Sequence, residues 1–247
     1  MNIGLNDRVA IITGSTGELG RTMARTLTAC GARVVLHYHQ AAERAAALQQ
    51  ELKGSIAVQA DVTKKGDLER MREIVTEQLG APDIMITNAV IQYQWTTVLQ
   101  QSLDDYRSQF ESCVLQNVAM AQVFLPAMIA RKRGRIIALN TECAMQNYPN
   151  QSAYVSGKRG MDGVLRVLAR EVGVHGITVN QVAPGWMVSE NRPAAGRPDA
   201  YLDKIPLQRW GTAQDVANAV AFLASDFASY ITGVYLPVCG GNSMPAI

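Results

Sequence analysis

Three residues in the second half of the chain have the types and spacing needed for proton transfer. Tyr154 and Lys158 are four positions apart, and Thr141 lies thirteen positions before the tyrosine. On one helix, the tyrosine and the lysine would project from the same face, one turn apart. An ammonium beside a phenol favours the phenolate, so we expect Tyr154 to exchange a proton with a carbonyl or alcohol oxygen. Such a pair also occurs by chance on solvent-facing helices, so it does not decide the function alone.

A glycine-rich turn near the start of the chain provides a second signal. Gly14, Gly17 and Gly20 recur at every third position, directly after the apolar run 9–12. Glycine has no Cβ, so backbone amides and the N-terminus of the next helix can approach a pyrophosphate there. The turn is a weak signal alone and a good one between a strand and a helix. Together with the tyrosine–lysine pair, it predicts a nucleotide-dependent oxidoreductase.

Short apolar runs alternate with helical patterns along the whole chain. The predicted strands lie near 9–12, 34–36, 56–58, 84–86, 136–139, 178–182 and 234–238. The predicted helices lie near 19–30, 41–53, 65–79, 103–132, 152–174 and 212–225. Near-continuous apolar strands separated by helices are typical of a parallel sheet that is covered on both faces. We therefore predict an α/β fold: a Rossmann-like, doubly wound parallel sheet of about seven strands, in a single domain over residues 1–247.

Two segments depart from this regular pattern. Pro126 interrupts the helical pattern 103–132, and we expect it to kink that helix. Residues 186–206 are rich in proline and follow a late strand, where a doubly wound sheet places its ligand crevice. This pattern predicts a substrate loop, and an ordinary surface insertion is an equally good alternative.

Composition excludes several classes of function. The 247 residues carry a formal charge of +2 and are 48% hydrophobic, which gives no electrostatic case for nucleic acid or an anionic membrane. The sequence shows no export signal and no apolar run of membrane-spanning length, so we expect a cytoplasmic protein. The four cysteines lack paired spacing and are interpreted as reduced thiols. We expect His37 and His39 to point to opposite sides, and we therefore expect no metal site.

Further motifs occur in a recognisable order along nearly the whole chain. They are the glycine turn, Asp61-Val62, Asn88-Ala89, Tyr154 with Lys158, Pro184-Gly185, Arg209-Trp210-Gly211 and Asp215-Val216-Ala217. In this respect the chain resembles the short-chain dehydrogenase/reductases, especially the single-domain members similar to 3-oxoacyl-carrier-protein reductase. The resemblance implies hydride transfer between a nicotinamide cofactor and a ketone or secondary alcohol. It also implies a homotetramer built through the long helices.

The resemblance assigns expected roles to particular residues. Tyr154 would be the acid/base, Lys158 would hold the nicotinamide ribose, and Thr141 would replace the serine that binds the substrate oxygen. The expected cofactor-binding residues are Gly14, Ser15, Thr16, Gly17, Leu19, Tyr38, His39, Asp61, Val62, Asn88, Ala89, Tyr154, Lys158, Pro184, Gly185, Met187 and Ser189. Tyr38 stands where NAD-dependent members carry an acid, so we expect NADP(H) rather than NAD(H). His39 or Arg44 would then contact the 2′-phosphate.

Several positions depart from the family pattern. Cys113 stands where an asparagine usually supports a proton relay to the lysine, and Asn117, one turn later, is a candidate substitute. Glu18 replaces a glycine in the first turn, Val90 replaces a glycine, and Cys239 replaces an aspartate. These changes leave two alternatives open: a redox-inactive nucleotide-binding protein, and a lyase or isomerase that uses the same tyrosine. An apolar or aromatic substrate pocket would be lined by Tyr93, Trp95, Tyr148 and Trp186.

Overall fold

A parallel sheet forms the centre of the molecule. The computed structural model describes residues 3–189, 193–195 and 199–244, without the side chain of Asp199. The sheet strands are β1 (Val9–Ile12), β2 (Arg33–Tyr38), β3 (Ile56–Gln59), β4 (Ile84–Thr87), β5 (Gly134–Leu139), β6 (Ile177–Pro184) and β9 (Tyr235–Val238). Their spatial order is β3-β2-β1-β4-β5-β6-β9, with every neighbouring pair parallel. The predicted doubly wound sheet of seven strands is confirmed.

A second, small sheet was not predicted from the sequence. It pairs β7 (Met187–Val188) with β8 (Gly211–Thr212). Strands of two residues are too short to carry a periodic signal, which explains the omission. The small sheet joins the start of the predicted substrate loop 186–206 to a strand that lies shortly after its end. Within that loop, residues 190–192 and 196–198 lie outside the described residues.

Helices cover both faces of the large sheet. They are α1 (Glu18–Ala29), α2 (Ala42–Glu51), α3 (Lys65–Leu79), α4 (Leu103–Gln109), α5 (Gln116–Arg131), α6 (Cys143–Gln146), α7 (Ser152–Val172), α8 (Asp199–Leu202) and α9 (Ala213–Ala224). One core packs α1, α2 and α9 against the sheet through residues such as Met23, Leu48 and Val220. The other core packs α3, α5 and α7 through residues such as Met71 and Phe124. Both strand faces are therefore buried, as their near-continuous apolar sequences predict.

The long helical segment Leu103–Arg131 is interrupted at a place that the sequence did not indicate. Pro126 lies inside α5, whereas a π-helical turn, Phe110–Leu115, separates α4 from α5. A π turn adds one residue to a helical turn and leaves no simple sequence signature. By length and apolar composition, this segment is the only helix in the described part of the chain that would suit a membrane span. Half of its apolar window is buried inside the protein, against α3 and α7.

The topology brings the ends of distant segments together. The chain order reverses between β1 and β4, and the carboxyl ends of parallel strands meet at one edge of a sheet. The glycine turn follows β1, Asn88 follows β4, and Thr141 follows β5. Helix α7 begins at Ser152, so Tyr154 lies in its first turn and Lys158 one turn later. The predicted catalytic and nucleotide residues therefore meet at this edge.

Candidate active site

A cleft of about 1280 Å³ opens at the carboxyl edge of the sheet. Most of the residues expected from the sequence line it. They are Gly14, Thr16, Gly17, Leu19, His39, Asp61, Val62, Asn88, Ala89, Thr141, Tyr154, Pro184, Gly185, Met187 and Ser189. Four expected residues do not contribute to the lining: Ser15, Tyr38, Cys113 and Lys158. The cleft is continuous from the glycine turn to the tyrosine.

Tyr154 is held between its helix and the loop that follows β4. Its backbone N–H donates to Tyr93 Oη at 2.8 Å. Its ring stacks on Trp95, with the ring centroids 5.6 Å apart. Burial raises the pKa of the phenol above its ordinary value, and a hydrogen bond with Thr141 opposes this effect only in part. The expectation of an easily formed phenolate therefore does not describe this geometry, in which the phenol stays protonated near neutral pH.

Lys158 lies below the cleft surface, and only 4% of it is exposed. Its Nζ lies 5.8 Å from the centroid of the Tyr154 ring. The same Nζ donates a hydrogen bond of 2.5 Å to the carbonyl of Leu139, at the end of β5. Burial lowers the pKa of this lysine. The lysine is thus close to the tyrosine, and burial disfavours the charged form of each group because both would lose hydration.

Backbone contacts fix Thr141 at the mouth of the cleft. Its N–H donates to Asn140 Oδ1 at 2.9 Å, and its carbonyl accepts a hydrogen bond from Tyr235 Oη. Its Oγ1 accepts from the N–H of Cys143 at 3.2 Å, which leaves the hydroxyl hydrogen for donation, as in its contact with Tyr154. Because Thr141 is β-branched, its side chain has restricted χ1 freedom and is well suited to hold one orientation.

The glycine turn is closed by contacts with Asn88. The Asn88 Nδ2 donates to the carbonyls of Thr13 and Gly14 at 3.0 and 3.1 Å. Gly14 has φ of +64°, a conformation that favours glycine. A Cβ added to Gly20 would lie 2.3 Å from the Gly14 carbonyl oxygen. The turn therefore requires glycine for close packing of the helix onto the strand end, as well as for access of a ligand.

His37 is a candidate functional residue that sequence reasoning missed. It is 1% exposed and contributes to the cleft wall at the end of β2. Its Nδ1 accepts from the Gly14 N–H at 3.0 Å, and its Nε2 lies 3.0 Å from the Ala60 carbonyl. These two contacts require the neutral tautomer with hydrogen on Nε2. Burial lowers the pKa of His37 from its ordinary 6.5 to about 4, which keeps that form at neutral pH.

The His37 backbone also supports the turn. Its carbonyl accepts hydrogen bonds from both the N–H and the Oγ of Ser15, each at 3.0 Å. Ser15 is thus fully buried beneath the turn, which explains why it does not line the cleft. His37 and His39 both line the cleft, whereas Tyr38 does not, because residues two apart on a strand share a face. The expectation that the two histidines point to opposite sides was therefore wrong. In the sequence, the signal for His37 was its position two residues before His39, because alternate residues of a strand share a face.

Cys113 lies within the π-helical turn and is 1% exposed. Its carbonyl accepts from Asn117 Nδ2 at 2.7 Å, while Asn117 Oδ1 accepts from Thr87 Oγ1 at 2.7 Å. Asn117 is therefore linked to this carbonyl, as a residue one helical turn later can be. The Cys113 thiol itself is packed in the core.

Aromatic side chains form the wall opposite the glycine turn. Tyr93, Trp95 and Trp186 line the cleft, whereas Tyr148 lies off its lining with Lys204 Nζ 5.6 Å from its ring centroid. Three of the four predicted aromatic residues are thus at the cleft.

Trp186 is supported from behind by two further rings. Its ring centroid is 4.7 Å from that of Tyr201, which in turn is 5.0 Å from that of Trp210. Tyr201 Oη donates to Glu142 Oε1 at 2.7 Å and accepts from the Trp186 N–H at 2.8 Å. Glu142 is completely buried, and burial raises its pKa. This acid and its tyrosine were also missed, since side chains 59 positions apart give no local pattern.

Two observations test whether the cleft fits a dinucleotide. The glycine turn leads directly into the N-terminus of α1 with Gly17 as N-cap, so amides and the positive end of the helix dipole face the cleft. Ser189 Oγ is buried at the cleft wall and has no hydrogen-bond partner within residues 3–189, 193–195 and 199–244. A buried hydroxyl without a partner costs free energy unless a ligand satisfies it. Both features fit a nicotinamide dinucleotide.

The fold and the cleft together define a Rossmann-type dinucleotide-binding oxidoreductase. A family model described as "Enoyl-(Acyl carrier protein) reductase" matches residues 15–243. The chain is 35% identical to the 3-oxoacyl-[acyl-carrier-protein] reductase FabG of Staphylococcus epidermidis, over 96% of this chain and 100% of the relative. It is 32% identical to the enzyme of the same name from Escherichia coli, over 96% and 98%.

Solved structures are similar over the full chain. A mutant form of a Serratia marcescens short-chain dehydrogenase/reductase has a TM-score of 0.88 at 28% identity, covering 97% of this chain and 99% of that one. A blue fluorescent protein from a metagenomic library, in complex with NADPH, has a TM-score of 0.89 at 31% identity, covering 99% and 100%. The chain belongs to the short-chain dehydrogenase/reductase family of NAD(P)-dependent oxidoreductases, as its motifs predicted.

Proposed function

We propose that this protein is an NADP(H)-dependent oxidoreductase that interconverts a ketone and a secondary alcohol, with Tyr154 as the acid/base. The observation that carries the proposal is the shared cleft. The Tyr154 phenol and the Thr141 hydroxyl line the same cavity as the glycine turn and the unpaired Ser189 hydroxyl. A dinucleotide site and a proton donor in one cavity are the two requirements for reduction of a carbonyl.

Each group of residues in the cleft lining has its own role in this proposal. Gly14, Gly17 and Thr16 would hold the pyrophosphate, and Ser189 would bind the nicotinamide end. The nicotinamide, when bound, supplies or accepts the hydride. The raised pKa of Tyr154 keeps a proton on the phenol near neutral pH, ready for donation to a ketone oxygen. Thr141 would donate a second hydrogen bond to that oxygen.

The preference for NADP(H) over NAD(H) rests on the end of β2. Residues 38–40 carry no carboxylate to repel a 2′-phosphate, and His39 and Gln40 line the cleft there. The structurally similar blue fluorescent protein, which has 31% identity to this chain, was solved in complex with NADPH. A comparison of kcat/KM for NADPH and NADH measures this preference directly.

The substitution Tyr154→Phe tests the proposed chemistry. It removes the phenolic proton and keeps the ring, so we expect kcat for ketone reduction to fall by about 100-fold or more while NADPH still binds. The fall in NADPH absorbance gives the rate, and calorimetry gives the affinity. Unchanged turnover in this variant would refute the role of Tyr154.

The same assays separate the alternatives. Binding of NADPH by the wild-type protein without turnover of any ketone or alcohol would favour the redox-inactive protein. A product whose mass does not differ from that of the substrate by two hydrogens would favour the lyase or isomerase.

We also propose a homotetramer in the cytoplasm. Leu103, Phe110, Leu115 and Val167 are exposed apolar residues on the segment Leu103–Arg131 and on α7, the helices expected at the interface. All four cysteines are free thiols, which suits a reducing compartment. Light scattering of the purified protein measures the number of subunits.

A further inference from the structure

The part of the cleft beside Tyr154 has a consistent chemical character, and we call it the substrate side. It includes Ile91, Tyr93, Trp95, Thr141, Tyr154 and Trp186, together with the uncharged polar residues Gln92, Ser112 and Asn140. Ile91, Trp95 and Trp186 are exposed to 39%, 45% and 41%, although they are large apolar residues. Exposed apolar surface that is concentrated in a cleft marks a binding site for an apolar ligand.

The rings of the substrate side are held in fixed positions. Trp95 stacks on Tyr154 at an interplanar angle of 27°. On the other side, Trp186 stacks on Tyr201 at an interplanar angle of 15°. The backbone N–H of Trp186 donates a hydrogen bond to the hydroxyl of the same tyrosine. Preorganised flat surfaces bind a flat ligand with little loss of side-chain entropy. The same surfaces bind a puckered saturated ring less favourably, because the faces of such a ring cannot stack on them.

Charge is distributed unevenly along the cleft. The carboxylates that line it, Glu18 and Asp61, belong to the turns after β1 and β3, at the nucleotide end. Within the part of the chain that the structure describes, the substrate side carries no Lys, Arg, Asp or Glu in its lining. Against these described residues, a ligand with a carboxylate or an ammonium would lose hydration without gaining an ion pair.

We propose that the substrate is a small, uncharged aryl ketone or the corresponding aryl alcohol, bound with its ring against Trp95. This inference rests on the proposed function, since it names the substrate class of the same site. Trp95 and Tyr154 are neighbours in the cleft lining, with ring centroids 5.6 Å apart, so a ligand ring that packs beside the exposed part of the indole lies next to the tyrosine. The aromatic wall thus selects the substrate and also orients its carbonyl.

A matched pair of ketones tests the proposal. Acetophenone and cyclohexyl methyl ketone have the same carbon skeleton and differ in the flatness of the ring and in its conjugation with the carbonyl. We expect the calorimetric affinity of the non-reacting NADP⁺ complex to favour acetophenone by about five-fold, the size of one aromatic stacking contact. A free 3-oxocarboxylate should bind more weakly than its neutral ester.

Three variants locate the effect. Trp95→Leu should abolish the preference for acetophenone, Trp95→Phe should retain most of it, and Tyr148→Leu, off the cleft lining, should leave it unchanged. Equal affinity for the two ketones in the wild-type protein, or an undiminished preference in Trp95→Leu, would overturn the proposal. If neither ketone is reduced, the proposed function fails, while the calorimetric affinities still decide the ligand preference.

Discussion

The burial of His37 predicts a dependence of stability on pH. The folded protein binds a proton at His37 only near a pKa of about 4, whereas the unfolded chain binds one near the ordinary value of 6.5. Unfolding therefore takes up a proton between these values, and acid favours it. Among the nearby ionisable groups, Asp61 raises the pKa of His37 and His39 lowers it. Burial lowers this pKa more than any other contribution.

The size of this effect follows from the two pKa values. As the pH falls from about 8 to about 5, His37 alone should remove about 2 kcal/mol from the free energy of unfolding, approaching about 3 kcal/mol below pH 4. The variant His37→Asn has no group that titrates there. Urea unfolding at both pH values should give a smaller acid loss for this variant than for the wild-type protein, by about 2 kcal/mol. Equal acid losses would refute the reasoning.

Two variants separate the stabilising and ligand-binding roles of His37. Asparagine can place an acceptor near Nδ1 and so keep the bond from the Gly14 N–H, whereas glutamine reaches toward the Ala60 carbonyl. Loss of the Gly14 bond leaves a part-buried amide unsatisfied at the pyrophosphate turn. We expect the NADPH dissociation constant to rise about ten-fold in His37→Gln and by less than about three-fold in His37→Asn. Identical dissociation constants would show that this contact does not position the turn.

Two further predictions concern contacts on either side of the cleft. Gly20→Ala places a Cβ 2.3 Å from the Gly14 carbonyl oxygen, so α1 must move away from the turn; NADPH binding measured by calorimetry should be lost. Retained nanomolar or micromolar binding would contradict this. Tyr201→Phe removes a donor to the buried Glu142 carboxylate, at 2.7 Å, and should cost about 1–3 kcal/mol in urea unfolding. A loss below about 0.5 kcal/mol would mean that water replaces the hydroxyl.

The sequence predicted most of the fold because its signals are local. The strand and helix bounds follow from apolar periodicity, and the glycine turn follows from the need for φ near +64° at Gly14 and close packing at Gly20. The π-helical turn 110–115 was not predicted, since hydrogen bonds that shift by one residue leave the composition unchanged. Pro126 gave a local signal for a kink, yet its helix continues through it.

By itself, the sequence determined the family and the sheet and pointed to Tyr154, Lys158 and Thr141 as candidate catalytic residues, because residue types and spacings can be recognised within short segments of the chain. Only the tertiary structure decided their electrostatic state. Burial depends on what distant segments cover, and it raises the pKa of the Tyr154 phenol although Lys158 lies nearby. The tertiary structure also revealed His37 beneath the turn and Glu142 behind Trp186. Only folding brings these two residues near their hydrogen-bond partners.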